Sequence, residues 1–324
     1  VHQIPVGPVH AGIIEPGHFR FHVQGETVAR LEARLGYLHK GTLSLMLGKP
    51  ARVAARFAGR LSGDSTVAHA WAFAMAVEAA LAVAPPPRAL ALRAVMAELE
   101  RIHNHLNDWG FVCNDAAFAY PHARCGALRE GVLRAARQAF GHRLMMDRVV
   151  PGGVTDDLDA AGIAAIRGAL RSVAAEVPAL LAIYESHASL QDRVVGTGIL
   201  DPALAARFAA GGPIGRASGR RFDARLAPGY APYAAPAAAV LAAGDVDARV
   251  RVRIAELTES LRLVEALLDA LPPGAILAAL PQRGGEGVGM TEAFRGECLH
   301  WVALDEGGLL RGVFPRDPSW LQWP

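Results

Sequence analysis

From Val67 to Ala84 only His69 and Glu78 interrupt an apolar run. A helix that is apolar on every side is a buried one. The stretch starting near Ser65 and stopped by Pro85-Pro86-Pro87 therefore predicts a central helix. Helical periodicity continues over about 88–112 and 115–140, from Asp156-Asp157 to about Ser186, and from Val246 to about Leu271, before Pro272-Pro273-Gly274. Short joins between long helices favour an antiparallel bundle. Strand-like alternation is confined to the two ends. Phe19-Arg20-Phe21-His22-Val23 leads through a Gly25-Glu26 turn into Val28-Ala29-Arg30-Leu31, and a short helix follows through about Leu47. Residues 296–315 alternate around Glu306-Gly307-Gly308, a hairpin expected to join the first strands in one sheet. The pattern predicts an α+β fold that is mainly α, a long antiparallel helix bundle with a small β-sheet. We divide it as residues 1–50 (β-rich), 51–195 (helical core), 196–245 (Gly/Pro-rich loops) and 246–324 (long helix plus hairpin), all one domain.

Composition narrows the function classes. Of 324 residues, 52% are hydrophobic and 20% charged, with a net charge of +2. No run of Lys and Arg with interleaved aromatics appears, so no nucleic-acid partner is expected. No charge-free apolar run reaches the ~18 residues a membrane span needs. The low charge suits a subunit that buries surface against partners. Cys113, Cys125 and Cys298 form no C-x-x-C, which suits reduced thiols in the cytosol. Val1 opens directly into strand-like sequence, so no leader is expected.

The candidate chemistry starts at the mouth of the central helix. Residues 60–69 have the outline of a metal loop, R-x-C-G-x-C-x-x-x-H, with Ser62 and Ser65 at both cysteine positions. A thiolate is a soft anionic ligand and a neutral hydroxyl is not. Ser62, Asp64 and Ser65 are also good helix caps. His69 lies one turn after Ser65 on the same face, as a core residue or a neighbour of a site.

Ordered motifs along the whole chain carry a resemblance. They include Ile4-Pro5-Val6-Gly7-Pro8-Val9-His10, Glu15-Pro16-Gly17-His18, Leu35-Gly36-Tyr37-Leu38-His39-Lys40-Gly41, and Glu98-Leu99-Glu100-Arg101 with Asn104-His105. Later come Asn114-Asp115-Ala116-Ala117-Phe118, Asp147-Arg148-Val149-Val150-Pro151-Gly152-Gly153, Glu292-Ala293-Phe294-Arg295-Gly296-Glu297 and Arg316-Asp317-Pro318-Ser319. The chain resembles the large-subunit superfamily shared by [NiFe] hydrogenases and the quinone-site subunit of respiratory complex I, and most of all the formate hydrogenlyase-type hydrogenases.

The resemblance implies a hydrogenase-large-subunit fold, a small iron–sulfur partner subunit and membrane subunits, on the cytoplasmic face of a membrane. It also implies departures. The first of the family's two cysteine pairs falls on Ser62 and Ser65, and the second would lie beyond Pro324, so no nickel–iron centre is expected. The position of the complex I quinone tyrosine falls on Gly63. The complex I His–Asp pair maps to His18 and Asp115, and Glu15 matches the turn carboxylate that relays protons in hydrogenases. Ser62, Gly63, Asp64, Ser65 and His69 would line the cavity left by the metal and hold a quinone or water.

Each position keeps a plainer reading. Glu15 is a proton relay or a solvated turn residue, and His18 with Asp115 a titrating pair or a structural hydrogen bond. Glu98, Arg101 and His105 form one helix stripe that pairs internally or passes protons. Arg216, Arg220, Arg221 and Arg225 form a basic loop, read here as an interface to the iron–sulfur partner. The whole chain is an electron-transfer subunit with a quinone-type cavity, a purely structural subunit, or, third in order, an active hydrogenase.

Overall fold

The computed structural model describes residues 2–9 and 16–322. It comprises two compact units, Val1–Ser44 and Leu45–Pro324. In the first, strands β1 (His2–Val6), β2 (His18–Gln24) and β3 (Thr27–Arg34) form an antiparallel sheet in that order. The β2–β3 hairpin closes at Gly25-Glu26, where Gly25 has a φ of +61° and Gln24 faces Thr27. A short helix α1 (Thr42–Met46) leads onward.

The second unit is helical at its core. Its elements are α2 (Ala51–Ala58), α3 (Thr66–Leu81), α4 (Pro87–Asp115), α5 (Ala119–Phe140), a ladder of β4 (Val149–Val150) with β5 (Gly153–Val154), and α6 (Ala160–Ser186). There follow α7 (Ala188–Val194), α8 (Pro202–Arg207), α9 (Gly212–Ala217) and α10 (Val246–Asp269), then β6 (Gly285–Ala293), β7 (Gly296–Leu304), β8 (Leu310–Arg316) and a 3-10 turn, Pro318–Leu321. Helix α4 packs against both α5 and α10, and α6 packs against α5. Trp109, Ile102, Leu257 and Tyr184 lie in their shared core.

Several expectations need correction. The two end regions do not share a sheet: β1-β2-β3 and β6-β7-β8 are separate. The β7–β8 hairpin turns where expected but gains a third strand, β6, in a stretch to which the sequence pattern assigns no element. Helix α4 continues to Asp115, and the break before α5 falls at Ala117, in the left-handed region with a φ of +62°. Helix α6 begins at Ala160, capped by Asp159 through Gly162 N at 2.7 Å. Asp156 and Asp157, expected to open it, instead pair with Arg148 and Arg88.

The glycines explain why β6 escapes a propensity reading. Gly285, Gly287 and Gly289 alternate along one strand face, which in itself weakens a strand. A Cβ on them would sit 2.3, 2.2 and 2.1 Å from the carbonyl oxygens of Ala80, Ala76 and Ala72. The strand therefore lies directly on the α3 backbone. That contact places β6, β7 and the turn between them beside the start of α3.

Candidate functional site

The loop that enters α3 is held by charge. Arg60 makes a two-pronged ion pair with Asp147, at 2.7 and 2.9 Å, and Thr66 Oγ1 donates to the Gly59 carbonyl. Ser62 Oγ donates to Asp64 Oδ1 at 2.5 Å. The other Asp64 oxygen takes Arg295 Nη2 at 2.8 Å and Nε at 3.2 Å, from the β6–β7 turn. Burial works against the Asp64 charge, yet Arg295 and the Ser62 bond hold its carboxyl below the ordinary range. Asn104 donates to the Asp64 carbonyl at 2.6 Å. Gly63 is exposed, with open space where a side chain would begin.

The serines do not cap α3. Ser65 sits at the cap position with no side-chain cap bond. Its hydroxyl is buried, with the residue 1% exposed, and has no partner among the described residues. Glu100 of α4 does the capping instead: its two oxygens accept from Val67 N at 2.7 Å and Ala68 N at 3.0 Å. Two carboxyl oxygens meet two of the free N–H groups at the helix start, a two-point contact that a single hydroxyl does not make. Burial nevertheless pushes the Glu100 carboxyl up to about 8, against those two bonds and with the Asp64 charge adding to the rise.

The sign of the resulting pH effect follows from the raised value. Between the unfolded pKa and about 8 the folded chain holds a proton that the unfolded chain has lost, so this group's contribution falls as pH rises. Glu100→Gln removes the titration. Its unfolding free energy in urea, relative to wild type, is expected to climb between pH 5 and 8, by up to about 1.4 kcal/mol per pH unit. A pH-independent difference between the two proteins would contradict it.

One turn into α3, His69 meets residues that sequence reading left without a role. His69 Nε2 lies 2.9 Å from Asp317 Oδ2 and 3.8 Å from Cys298 Sγ, and His69 Nδ1 lies 3.0 Å from His300 Nε2. Burial resists the Asp317 charge, but the His69 bond and the Ser319 N–H and hydroxyl hold its carboxyl down at about 2. A carboxylate only accepts, so His69 Nε2 carries a proton toward it. Burial lowers the His300 pKa well below the usual value. A neutral His300 then donates through Nε2 to His69 Nδ1, and its own Nδ1 has no partner among the described residues. Burial raises the Cys298 thiol well above its ordinary value. Cys298 and Asp317 are more than two hundred residues from His69, and no local spacing signals the meeting.

The remaining predicted residues fall in different parts of the chain. Glu15 lies outside the described residues. His18 opens β2 in the first unit, and Asp115 ends α4, exposed, in the second. The Glu98, Arg101 and His105 stripe is fully buried and pairs internally. Glu98 contacts Arg101 at 3.2 Å, Arg225 at 3.3 Å and Ser260 Oγ at 2.6 Å. Glu256 of α10 receives Arg216 at 2.7 Å and lies 3.1 Å from His105 Nε2.

Arg216 also reaches Glu292 at 2.9 Å, and Arg225 reaches Asp223 at 2.7 Å. Arg216 and Arg225 are thus interior, which corrects their reading as an interface loop; Arg221 stays exposed. Three guanidiniums, of Arg101, Arg216 and Arg225, face four carboxyls, of Glu98, Asp223, Glu256 and Glu292. The odd one is Glu292, pushed up to about 7 by burial and by the Asp223 charge.

Comparison with known proteins fits this architecture. Residues 119–283 match the family "Respiratory-chain NADH dehydrogenase, 49 Kd subunit", and residues 40–109 match "Nickel-dependent hydrogenase". Formate hydrogenlyase subunit 5 of Escherichia coli is 31% identical over 99% of the chain, which spans 57% of that protein's length. The membrane-bound hydrogenase subunit alpha of Pyrococcus furiosus is 30% identical over 98% of the chain and 79% of its own. An NADH-quinone oxidoreductase subunit of Dehalococcoides mccartyi is 30% identical over 93% of the chain and 84% of its own. A chain from the structure of a membrane-bound sulfane sulfur reductase, an archaeal respiratory membrane complex, superposes with a TM-score of 0.91 at 25% identity, covering 99% of this chain and 89% of that one. Among the described residues no helix is long and apolar enough to cross a membrane.

Proposed function

Because the chain belongs to the family of complex I 49 kDa subunits and [NiFe]-hydrogenase large subunits, we propose that it is the large subunit of a membrane-associated electron-transfer complex and holds no nickel–iron centre. The donor set of the loop carries this reading. The Ser62 hydroxyl is bound to Asp64, Asp64 is bound to Arg295, and Ser65 offers a neutral hydroxyl. Such hard or neutral oxygens do not fit a centre built on soft thiolates.

In this reading the chain docks peripherally on membrane subunits at the cytoplasmic face. A small iron–sulfur partner delivers electrons to a quinone-type acceptor bound near Ser62, Gly63, Asp64, Ser65 and His69. Glu15, His18 and Asp115 supply and take protons, and the chain passes conformational change to its membrane partners. The exposed, open position at Gly63 supports room for a headgroup and also means that no tyrosine hydroxyl stands there.

The test is turnover of the purified complex with a soluble quinone, and separately with a sulfane-sulfur donor. His18→Ala and Asp115→Asn are each expected to slow quinone reduction by roughly 10²-fold, the lower end of what a positioned acid or base contributes. Rates equal to wild type would remove the relay, and reduction of the sulfur donor alone would replace the acceptor. Nickel at one equivalent per chain would overturn the reading altogether. A structural role is the second reading, favoured by the way Cys298, His300 and Asp317 fill the flank of His69. It predicts a complex whose turnover is unaffected by either substitution.

A further inference from the structure

We propose that His69, Cys298 and Asp317 bind one divalent transition-metal ion, zinc by preference, at a position separate from the serine-substituted loop. One imidazole nitrogen, one sulfur and one carboxylate oxygen lie within 4.8 Å of one another. They come from α3, from β7 and from the residue just after β8, so three elements fix their spacing. Zinc takes this mixture of donors at about 2.0–2.3 Å, which separates neighbouring donor atoms of a tetrahedron by about 3.3–3.7 Å. The distances here, 2.9 Å from His69 Nε2 to Asp317 Oδ2 and 3.8 Å from His69 Nε2 to Cys298 Sγ, bracket that spacing.

The surroundings are those of ligands held in place. Metal-binding imidazoles donate their second N–H in an orienting hydrogen bond; an ion on Nε2 would replace the proton there and leave His69 Nδ1–H to donate to His300 Nε2, 3.0 Å away, with the His300 proton on its Nδ1. The second Asp317 oxygen is held by the Ser319 N–H and hydroxyl. His69 and Cys298 are closed to solvent, whereas the Asp317 side chain is 17% exposed and gives an ion a way in. Three protein ligands leave a fourth position for water or another ligand, the arrangement of open zinc sites. None of the three ligands is a residue of the 62–65 loop, and the proposal does not depend on what accepts electrons.

The chain is stripped with a chelator, then titrated with zinc or cobalt(II). One tightly held equivalent is expected, and cobalt should show a near-ultraviolet thiolate charge-transfer band. Cys298→Ser abolishes the band, and Asp317→Asn weakens binding by at least as much as loss of the orienting residue. His300→Phe, which removes that orienting bond and keeps a ring against Phe73, weakens binding by roughly 10–100-fold. Cys113→Ala, in the helical core, leaves binding unchanged. X-ray absorption of the zinc-loaded wild type needs no variant to fold. It is expected to show one sulfur near 2.3 Å with nitrogen and oxygen near 2.0 Å, as zinc ligands do. Failure to retain an equivalent of ion, a shell without sulfur, or binding by Cys298→Ser equal to wild type would each overturn the site.

Discussion

Glu256→Ala is expected to lower the stability of the second unit by about 3–5 kcal/mol, the cost of breaking a buried ion pair by removing one partner. The residue is fully buried, and burial alone disfavours its charge. Arg216, His105 and Arg101 more than offset that and hold its carboxyl well below the usual range. Without it, Arg216 keeps Glu292 and Asp223, but Arg101 is left with Glu98 and two carbonyls. Two buried guanidiniums then share less compensation in a space that water does not reach. Glu286→Ala makes the contrast, because its pair with Arg311 is exposed and should be worth under about 1 kcal/mol. Guanidinium unfolding followed by fluorescence of the buried Trp71 and Trp109 measures both. Equal midpoints for the two variants would show that the network contributes no more than a surface pair.

A single methyl group at Gly287 is the second large effect. Its Cβ would lie 2.2 Å from the Ala76 carbonyl oxygen and 2.5 Å from the Ala80 nitrogen. Both are backbone atoms of a buried helix and cannot turn aside, so α3 and β6 must separate. Overpacking of this kind costs about 1–3 kcal/mol and sometimes more. Gly126→Ala is the matched control. It lies within α5 and nothing stands within 4 Å of its added Cβ, so the change should stabilise by about 0.4–1 kcal/mol. Opposite shifts in melting temperature are expected for the same chemical change. A Gly287→Ala chain as stable as wild type would mean that the strand does not rest on the helix.

Local pattern made the long helices legible, because α3, α4, α5 and α10 each show apolar periodicity or clear stops. The same reading found the stripe of Glu98, Arg101 and His105, since spacing along one helix sets a shared face. It did not find their partners, because Arg216, Arg225 and Glu256 approach only after the chain has folded back. Strand β6 was hidden for a different reason: the glycines that permit its contact with α3 also erase its strand signal. At the site, the serine pair and Asp64 were identified but their bonding was not. The helix cap came from Glu100, and the strongest partners of His69 came from Cys298, His300 and Asp317.

Arg295, Cys298, His300 and Asp317, which surround the start of α3, all follow α10 in the chain. Helices α3 to α6 can associate soon after they leave the ribosome, since domains are made from the N-terminus onward. The contacts of His69 cannot form until residues more than two hundred positions later arrive, and contacts at such separation form slowly. During synthesis the His69 imidazole is therefore without these partners until the last strands form. Order of assembly thus makes the surroundings of His69 one of the last parts of the second unit to form.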